Sequence, residues 1–264
     1  INGEVPFSGA DILSFSRLWR DSGEVRKDNQ GNVIRPSQVE FFEYQKVLFK
    51  SDLGYEVRPY CFYFESGENS ITLESTNEPM AISHLSLVPI LSYDSYEQYL
   101  AQQPSKPESY KPSQPFSVKI QGESAQKRSD PSLFSRYDRS SATTEPYDVA
   151  HTVLNYIGGD SWRSPGQWIE WDFEVPENGW YTISVKARQL YQRGFIACRS
   201  VYIDGEIPID SLESVDFKYS TDWEMVTLAD KEDNPYKFYL TKGKHSVRLE
   251  CTLGQMGSII NDLQ

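Results

Sequence analysis

The chain has little cysteine, little histidine and no surplus of positive charge. Cys61, Cys198 and Cys251 are its three cysteines among 264 residues. An odd number without CxxC spacing excludes a disulfide framework and a zinc ribbon, while leaving room for one pair. His84, His151 and His245 lie far apart and form no HExxH pattern. Lys and Arg number 26 against 38 Asp and Glu, a formal net charge of -12. A duplex-binding face needs a basic patch to release counterions from phosphates, so no nucleic-acid partner is expected. The same sign disfavours an anionic membrane surface. No apolar run approaches the roughly 20 residues of a spanning helix, so no membrane insertion is expected. The chain opens on Ile1 without Met, basic n-region or apolar h-region, which reads as a processed or excised piece.

Catalytic motifs are missing as well. Gly122-Glu123-Ser124 runs into Ala125-Gln126 and completes no G-x-S-x-G elbow. Gly158-Gly159 lacks the lysine and spacing of a phosphate loop. No pair of acids is marked out for glycoside hydrolysis. The chain is therefore expected not to be an enzyme. Asp230-Lys231-Glu232-Asp233-Asn234 follows the start of an EF-hand loop, but Pro235 stands at position six and Thr241 at position twelve. A solvated turn is expected there and also at Lys27-Asp28-Asn29-Gln30-Gly31.

What the chain does have is aromatic side chains and a repeat. With 17 Tyr, 13 Phe, 6 Trp and a 38% hydrophobic share, there is enough apolar matter for a core, which excludes wholesale disorder. Residues 59–74, PYCFYFESGENSITLE, align without a gap on residues 235–250, PYKFYLTKGKHSVRLE. Ile1-Asn2-Gly3-Glu4-Val5-Pro6 likewise matches Ile203-Asp204-Gly205-Glu206-Ile207-Pro208, Trp19 falls near Trp223, and Met80 falls on Met256. Several matches in one order mark a duplicated unit. The second copy has a front half, about Phe116 to Tyr202, with no counterpart in the first. This predicts a natural protein that continues upstream; a complete, smaller unit at 1–89 is the alternative.

Between the copies, Ser95 to Gln103 suits two turns of helix with Ser95 as the cap. Pro104, Pro107, Pro112 and Pro115 follow, predicting a stiff, extended spacer. The expected division is a module at 1–89, a Pro/Ser/Tyr-rich linker at 90–115 and a complete module at 116–264. In QWIEWDFEV (167–175), Ile169, Trp171, Phe173 and Val175 alternate with Trp168, Glu170, Asp172 and Glu174. After a turn at Pro176-Glu177-Asn178-Gly179, the inward residues are Tyr181, Ile183, Val185 and Ala187. This is a hairpin with one buried and one wet face. Residues 197–203, 223–228, 236–240 and 245–251 read as further strands. The fold class is all-β, with two-sheet β-sandwich or jelly-roll modules in tandem, the first incomplete at its N-terminus.

The segment WIEWDFEVPENGWYTISVKARQ, then VYIDGE, then YKFYLTKGKHSVRLE resembles the galactose-binding-like β-sandwich superfamily, which includes carbohydrate-binding module families 6 and 35. The resemblance rests on a Trp-bearing strand, a V-P-x-x-G-x-Y turn, a V-x-I-D-G strand and a late L-x-x-G-x-H-x-[IV]-x-L strand, all within residues 116–264. More loosely, SYEQYLAQ and the acidic, cysteine-poor composition are similar to accessory regions of bacterial extracellular solute-binding lipoproteins and of secreted polysaccharide-degrading enzymes. The resemblance implies a non-catalytic carbohydrate-binding region of a larger bacterial protein, serving polysaccharide capture or sugar uptake. Such a region is extracellular or at the cell surface, with an oligo- or polysaccharide and neighbouring domains of the same polypeptide as partners. The alternative is a pair of structural modules that position a neighbouring domain and bind no sugar.

Sugar recognition uses an aromatic face against C–H groups and a few directed polar groups, on loops held by a rigid scaffold. Trp162 and Tyr156, in the loop from Asn155 to Pro165, are candidates. So are Tyr191 and Arg193 beside Gln189, and Asn261 with Gln255 in the last loop. Trp162 has a competing role as a loop anchor. Trp171, Trp180 and Trp223 read as core or sheet surface. Arg188, Arg193 and Arg199 supply local positive charge on an acidic chain, for which neutral glycans are the default. The resemblance also implies a structural calcium held by carboxylates of the first strand and the C-terminus. Here these are Glu123 and Asp262, with Gln121 in place of one acid.

Overall fold

The computed structural model describes residues 1–54, 57–89, 92–114 and 116–263, except the side chains at 258 and 261. The strands in the first part are β1 (Leu18–Asp21), β2 (Arg26–Lys27), β3 (Val33–Ile34) and β4 (Gln38–Phe41). Helix α1 (Tyr96–Gln102) follows, and then β5 (Lys127–Arg128), β6 (Ser135–Arg136), β7 (Tyr156–Ile157), β8 (Trp168–Val175) and β9 (Gly179–Tyr181). The chain continues with β10 (Ser184–Ala187), β11 (Ala197–Ile203), β12 (Val215–Phe217), β13 (Glu224–Thr227), β14 (Phe238–Leu240) and β15 (Gly243–Thr252), and reaches helix α2 (Gln255–Asp262).

An antiparallel sheet runs in the order β12-β11-β15-β8-β5-β1-β4, and the pairs β10-β13 and β9-β14 lie apart from it. The core forms between the large sheet and these pairs. Ile169, Trp171, Val175, Val201, Ile203 and Leu249 come from the large sheet and meet Leu228, Phe238 and Leu240 from the other layer. The alternation in β8 places Ile169, Trp171 and Val175 in this core, and Tyr181, Ile183, Val185 and Ala187 are half-buried, alternating with exposed Thr182, Ser184 and Lys186. Each such large apolar side chain contributes about 1.5–3 kcal/mol on burial. The fold is all-β, as the alternation requires.

The other face of β8 is wet at Asp172 and Glu174 but closed at its start. Trp168 and Glu170 are both 5% exposed. Cross-strand register explains it. Arg248 lies opposite Glu170 and binds its carboxylate at 2.7 Å, while its guanidinium sits 3.7 Å from the Trp168 ring centroid. Lys127 lies opposite Glu170 on the other side, 3.5 Å away. Side chains from 43–54 and 57–58 then pair with this part of the sandwich: Glu43 with Lys127, Lys46 with Glu206, Lys50 with Glu250 and Arg58 with Glu213. The exposed Lys46 pair contributes little, but Lys50 and Glu250 are mostly shielded from screening.

The tandem arrangement is not what the described residues form: one sandwich stands, and β1 and β4 extend its sheet while β2 and β3 pair apart from it. Arg128 of β5, fully buried, donates to the Asp21 carboxylate at 3.1 and 3.0 Å and to Gln38 at 2.9 Å, holding β1 and β4 in place. Residues 59–74, the counterpart of β14 and β15, lie in no strand. The pairing of Trp19 with Trp223 also fails. Tyr60 N donates to Phe49 O as Tyr236 N donates to Leu228 O, which aligns Tyr44 with Trp223 and leaves Trp19 in β1.

The region between the copies is docked rather than held clear as a spacer. Ser95 and Gln98 form a capping box that starts α1. Tyr96 and Tyr99, one turn apart, pack on Tyr236, Phe238 and Trp180. Their hydroxyls accept the backbone N–H of Lys237 and Tyr239 at 2.8 and 2.9 Å. Beyond Pro107, Tyr110 donates to Glu177 at 2.9 Å. Pro115 lies outside the described residues. The two acidic loops are turns, as expected: Asp28 and Asp230 each accept from the backbone and side chain of the Asn four residues on. The three cysteines are free.

Candidate functional site

Two consecutive glycines shape the loop after β7. Gly158 and Gly159 have φ of +90° and +75°, a region that side chains with a Cβ rarely adopt. A Cβ on Gly158 would stand 2.8 Å from the Trp162 ring. One on Gly159 would stand 3.0 Å from the Tyr191 hydroxyl, 3.6 Å from Tyr156 Cε2 and 3.8 Å from Arg136 Cδ. The loop thus folds tightly over Trp162 and brings Tyr156, Tyr191 and Arg136 together on its other side.

Arg136 and Tyr156 are cross-strand partners in β6 and β7. The Arg136 guanidinium pairs with Asp160 at 2.7 Å and donates to Ser161 at 3.3 Å. Burial, with Tyr191 close by, pushes the Tyr156 phenol up from its usual range. Tyr156 meets Trp223 edge-on, with ring centroids 5.7 Å apart. The Trp223 indole N–H donates to the Asp138 carboxylate at 2.7 Å, and Arg188 sits 4.8 Å from the Trp223 ring centroid and 3.1 Å from Asp138. Burial alone would raise the Asp138 carboxyl, but Trp223, Ser140 and Arg188 outweigh it and hold it below the usual range. The result is an aromatic surface of Tyr191, Tyr156 and Trp223 whose two arginines are each matched by an acid.

Two of the five expected ligand residues, Tyr156 and Tyr191, meet here. Trp162 is the loop anchor: it is half-buried against the core, its indole N–H donates to Gln167 O at 3.0 Å, and Arg199 lies 4.4 Å from its ring centroid. Arg199 binds the Trp162 and Cys198 carbonyls, so its charge serves the fold rather than the surface. Arg193 is exposed, with no hydrogen bond or ion pair among the described residues. The last loop is not a loop but helix α2, which carries Gln255 and Asn261; the Asn261 side chain lies outside the described residues. Gln189 spends its amide on its own loop, accepting from Tyr191 N at 3.0 Å and donating to Phe195 O at 3.1 Å.

Sequence reasoning placed Trp223 among core or sheet residues and passed over Arg136 and Asp138. The alternation of Ser135-Arg136 against Tyr156-Ile157 is too short to give a periodic signal. Trp223 lies just before β13, where a polar turn meets a strand, and that position was the available clue.

Glu123, in a short 3-10 turn rather than a strand, lines a cavity of about 250 Å³ between Asp21, Lys27 and Val33 on one side and Ser135, Val153 and Leu154 on the other. Its Oε2 has no hydrogen-bond partner, and burial pushes its carboxyl up to about 7. Asp262 is exposed on α2. Among the described residues no three Asp, Glu, His or Cys side chains gather as metal ligands, and Asp21 is committed to Arg128. A calcium ion requires six to eight oxygens, and among the described residues no cluster of three acids stands at Glu123 to supply a share of them.

No protein-family model and no curated protein matches this chain. Solved structures do. A family 35 carbohydrate binding module from Clostridium thermocellum shows 16% identity and a TM-score of 0.36, covering 51% of this chain and 85% of that one. A family 35 module from an environmental isolate shows 17% identity and a TM-score of 0.32, covering 51% and 82%. A Paenibacillus sp. cycloisomaltooligosaccharide glucanotransferase complexed with cycloisomaltoheptaose shows 20% identity and a TM-score of 0.35; 51% of this chain spans only 16% of that enzyme. At these scores the likeness is one of shape and carries no weight on ligand or activity. Over about half its length, the chain is similar in shape to carbohydrate-binding modules of family 35.

Proposed function

We propose that this chain is a non-catalytic carbohydrate-binding region that takes a neutral oligo- or polysaccharide on the surface of Tyr191, Tyr156 and Trp223. The observation that carries this reading is the exposed Tyr191 ring, 53% accessible, converging with Tyr156 over Gly159. Aromatic faces of this kind suit sugar C–H groups, and the adjoining Arg136–Asp160 and Arg188–Asp138 pairs offer directed polar atoms with no net charge. A larger bacterial protein, acting outside the cell or at its surface in polysaccharide capture or sugar uptake, is the setting this reading implies.

A second reading, a structural module that docks neighbouring segments, has its own support. Lys50 and Arg58 already fasten their segments to the sandwich by ion pairs, and Tyr99 and Tyr110 fasten theirs by hydroxyl hydrogen bonds. A panel of soluble glycans and insoluble polysaccharides, offered to the full chain and to Tyr191→Ala, separates the two. Binding that Tyr191→Ala weakens supports the carbohydrate reading. No binding across the panel supports the structural one.

A further inference from the structure

The first repeat copy keeps part of a sandwich contact, and among the described residues no strands complete it. In the second copy, β11 ends in a turn that locks onto β15. Asp204 N donates to Ser246 O at 3.0 Å, and Ser246 N donates to the Asp204 carboxylate at 2.8 Å. The first copy builds the same lock: Asn2 N donates to Ser70 O at 2.9 Å, and Ser70 N to Asn2 Oδ1 at 2.8 Å. The backbones agree, with φ of +52° at both Asn2 and Asp204, and +87° and +82° at Gly3 and Gly205. Asn2 reaches Asn69 at 3.0 Å where Asp204 meets His245 at 2.7 Å. Next along, the 3-10 turn Ser8–Asp11 repeats Asp210–Leu212.

What covers the lock differs between the copies. β15 lies between β8 and β11, and its Leu249 is 4% exposed. The matching Leu73 is 43% exposed, and among the described residues no strand pairs with 67–76. Phe62 and Phe64 are half-buried where Phe238 and Leu240 are buried. Among the described residues, 71–76 therefore present backbone groups without a backbone partner and the alternating apolar side chains Ile71 and Leu73, the two features that recruit an added strand.

We propose that residues 67–76, with the Asn2 turn, form a strand-uptake surface. Its occupant is a polypeptide front half of the kind residues 116–202 supply in the second copy. One strand of it alternates as Trp168–Val175 does and lies along one edge of 67–76. Another lies along the opposite edge, in line with the Asn2 turn, as Ala197–Ile203 lies along β15. The repeat itself names this occupant, because the same lock in the same chain is completed by those strands. The inference is independent of any glycan.

The test joins a second copy of residues 116–202 ahead of Ile1 and follows amide hydrogen exchange of residues 70–76 in the present and extended chains. Exchange in the extended chain is expected to slow on the order of 100-fold. Leu73→Asp in the extended chain is expected to restore fast exchange there while the β15 amides keep theirs. Three results would each overturn the proposal: equally fast exchange in both chains, protection in the present chain already equal to that of β15, or protection that survives Leu73→Asp.

Discussion

The buried guanidinium of Arg128 holds both oxygens of the Asp21 carboxylate, at 3.1 and 3.0 Å, across the junction between β5 and β1. A fully buried cation with one acid beside it makes the pair a sensitive joint. Asp21→Ala removes the compensating charge and is expected to cost about 3–5 kcal/mol. Replacing both residues by apolar ones of similar volume should cost much less. Urea unfolding of the single and double variants checks this; an Asp21→Ala midpoint equal to the parent's would contradict it.

Glu123 gives the fold a pH dependence. Its carboxyl, raised by burial to about 7, binds its proton more tightly in the folded chain than in the unfolded one, where the usual value is 4.5. Its contribution is therefore fully present below about pH 4.5, declines as the pH rises towards 7 and stays lost above that. Glu123→Gln should flatten that part of the profile and raise the melting temperature at pH 8. A variant whose profile keeps the parent's slope between pH 4.5 and 7 would place the titration elsewhere.

Calcium should make no difference to stability, because the described acids do not gather around Glu123. Melting curves with millimolar calcium and with chelator are expected to coincide. A calcium-dependent rise in Tm that Glu123→Gln abolishes would show that backbone oxygens complete a site there.

Helix α1 is held at its start by Ser95, which accepts from Gln98 N at 3.3 Å. Ser95→Ala should cost about 1 kcal/mol and loosen Tyr99 from Trp180. Denaturant titration followed by tryptophan fluorescence reads both effects. An unchanged midpoint would mean that the tyrosine contacts alone hold the helix.

The sequence made the strands legible wherever alternation ran for several residues: residues 197–203 were read as a strand and form β11, and Ser95 was read as the cap it is. Alternation says which side chains share a face but not what covers that face. Glu170 was therefore read as wet, although Arg248 and Lys127 enclose it. The same limit hid the fate of residues 59–74. Their likeness to β14 and β15 was plain, but a strand needs partners, and composition does not report whether partners are near. At the candidate site, Tyr156 and Tyr191 were legible as loop aromatics. Trp162, equally aromatic, is the anchor because Gln167 and Arg199 claim its indole.

The central claim concerns Tyr191. The most direct measurement is calorimetric titration of the best glycan from the panel into the full chain, Tyr191→Ala and Arg193→Ala. Truncating an aromatic at the centre of a binding surface typically costs more than about 1 kcal/mol, so the account predicts a loss of about fivefold or more for Tyr191→Ala. It predicts near-parental affinity for Arg193→Ala. Equal affinity in Tyr191→Ala and the parent would contradict the account and move the site away from the Gly159 loop.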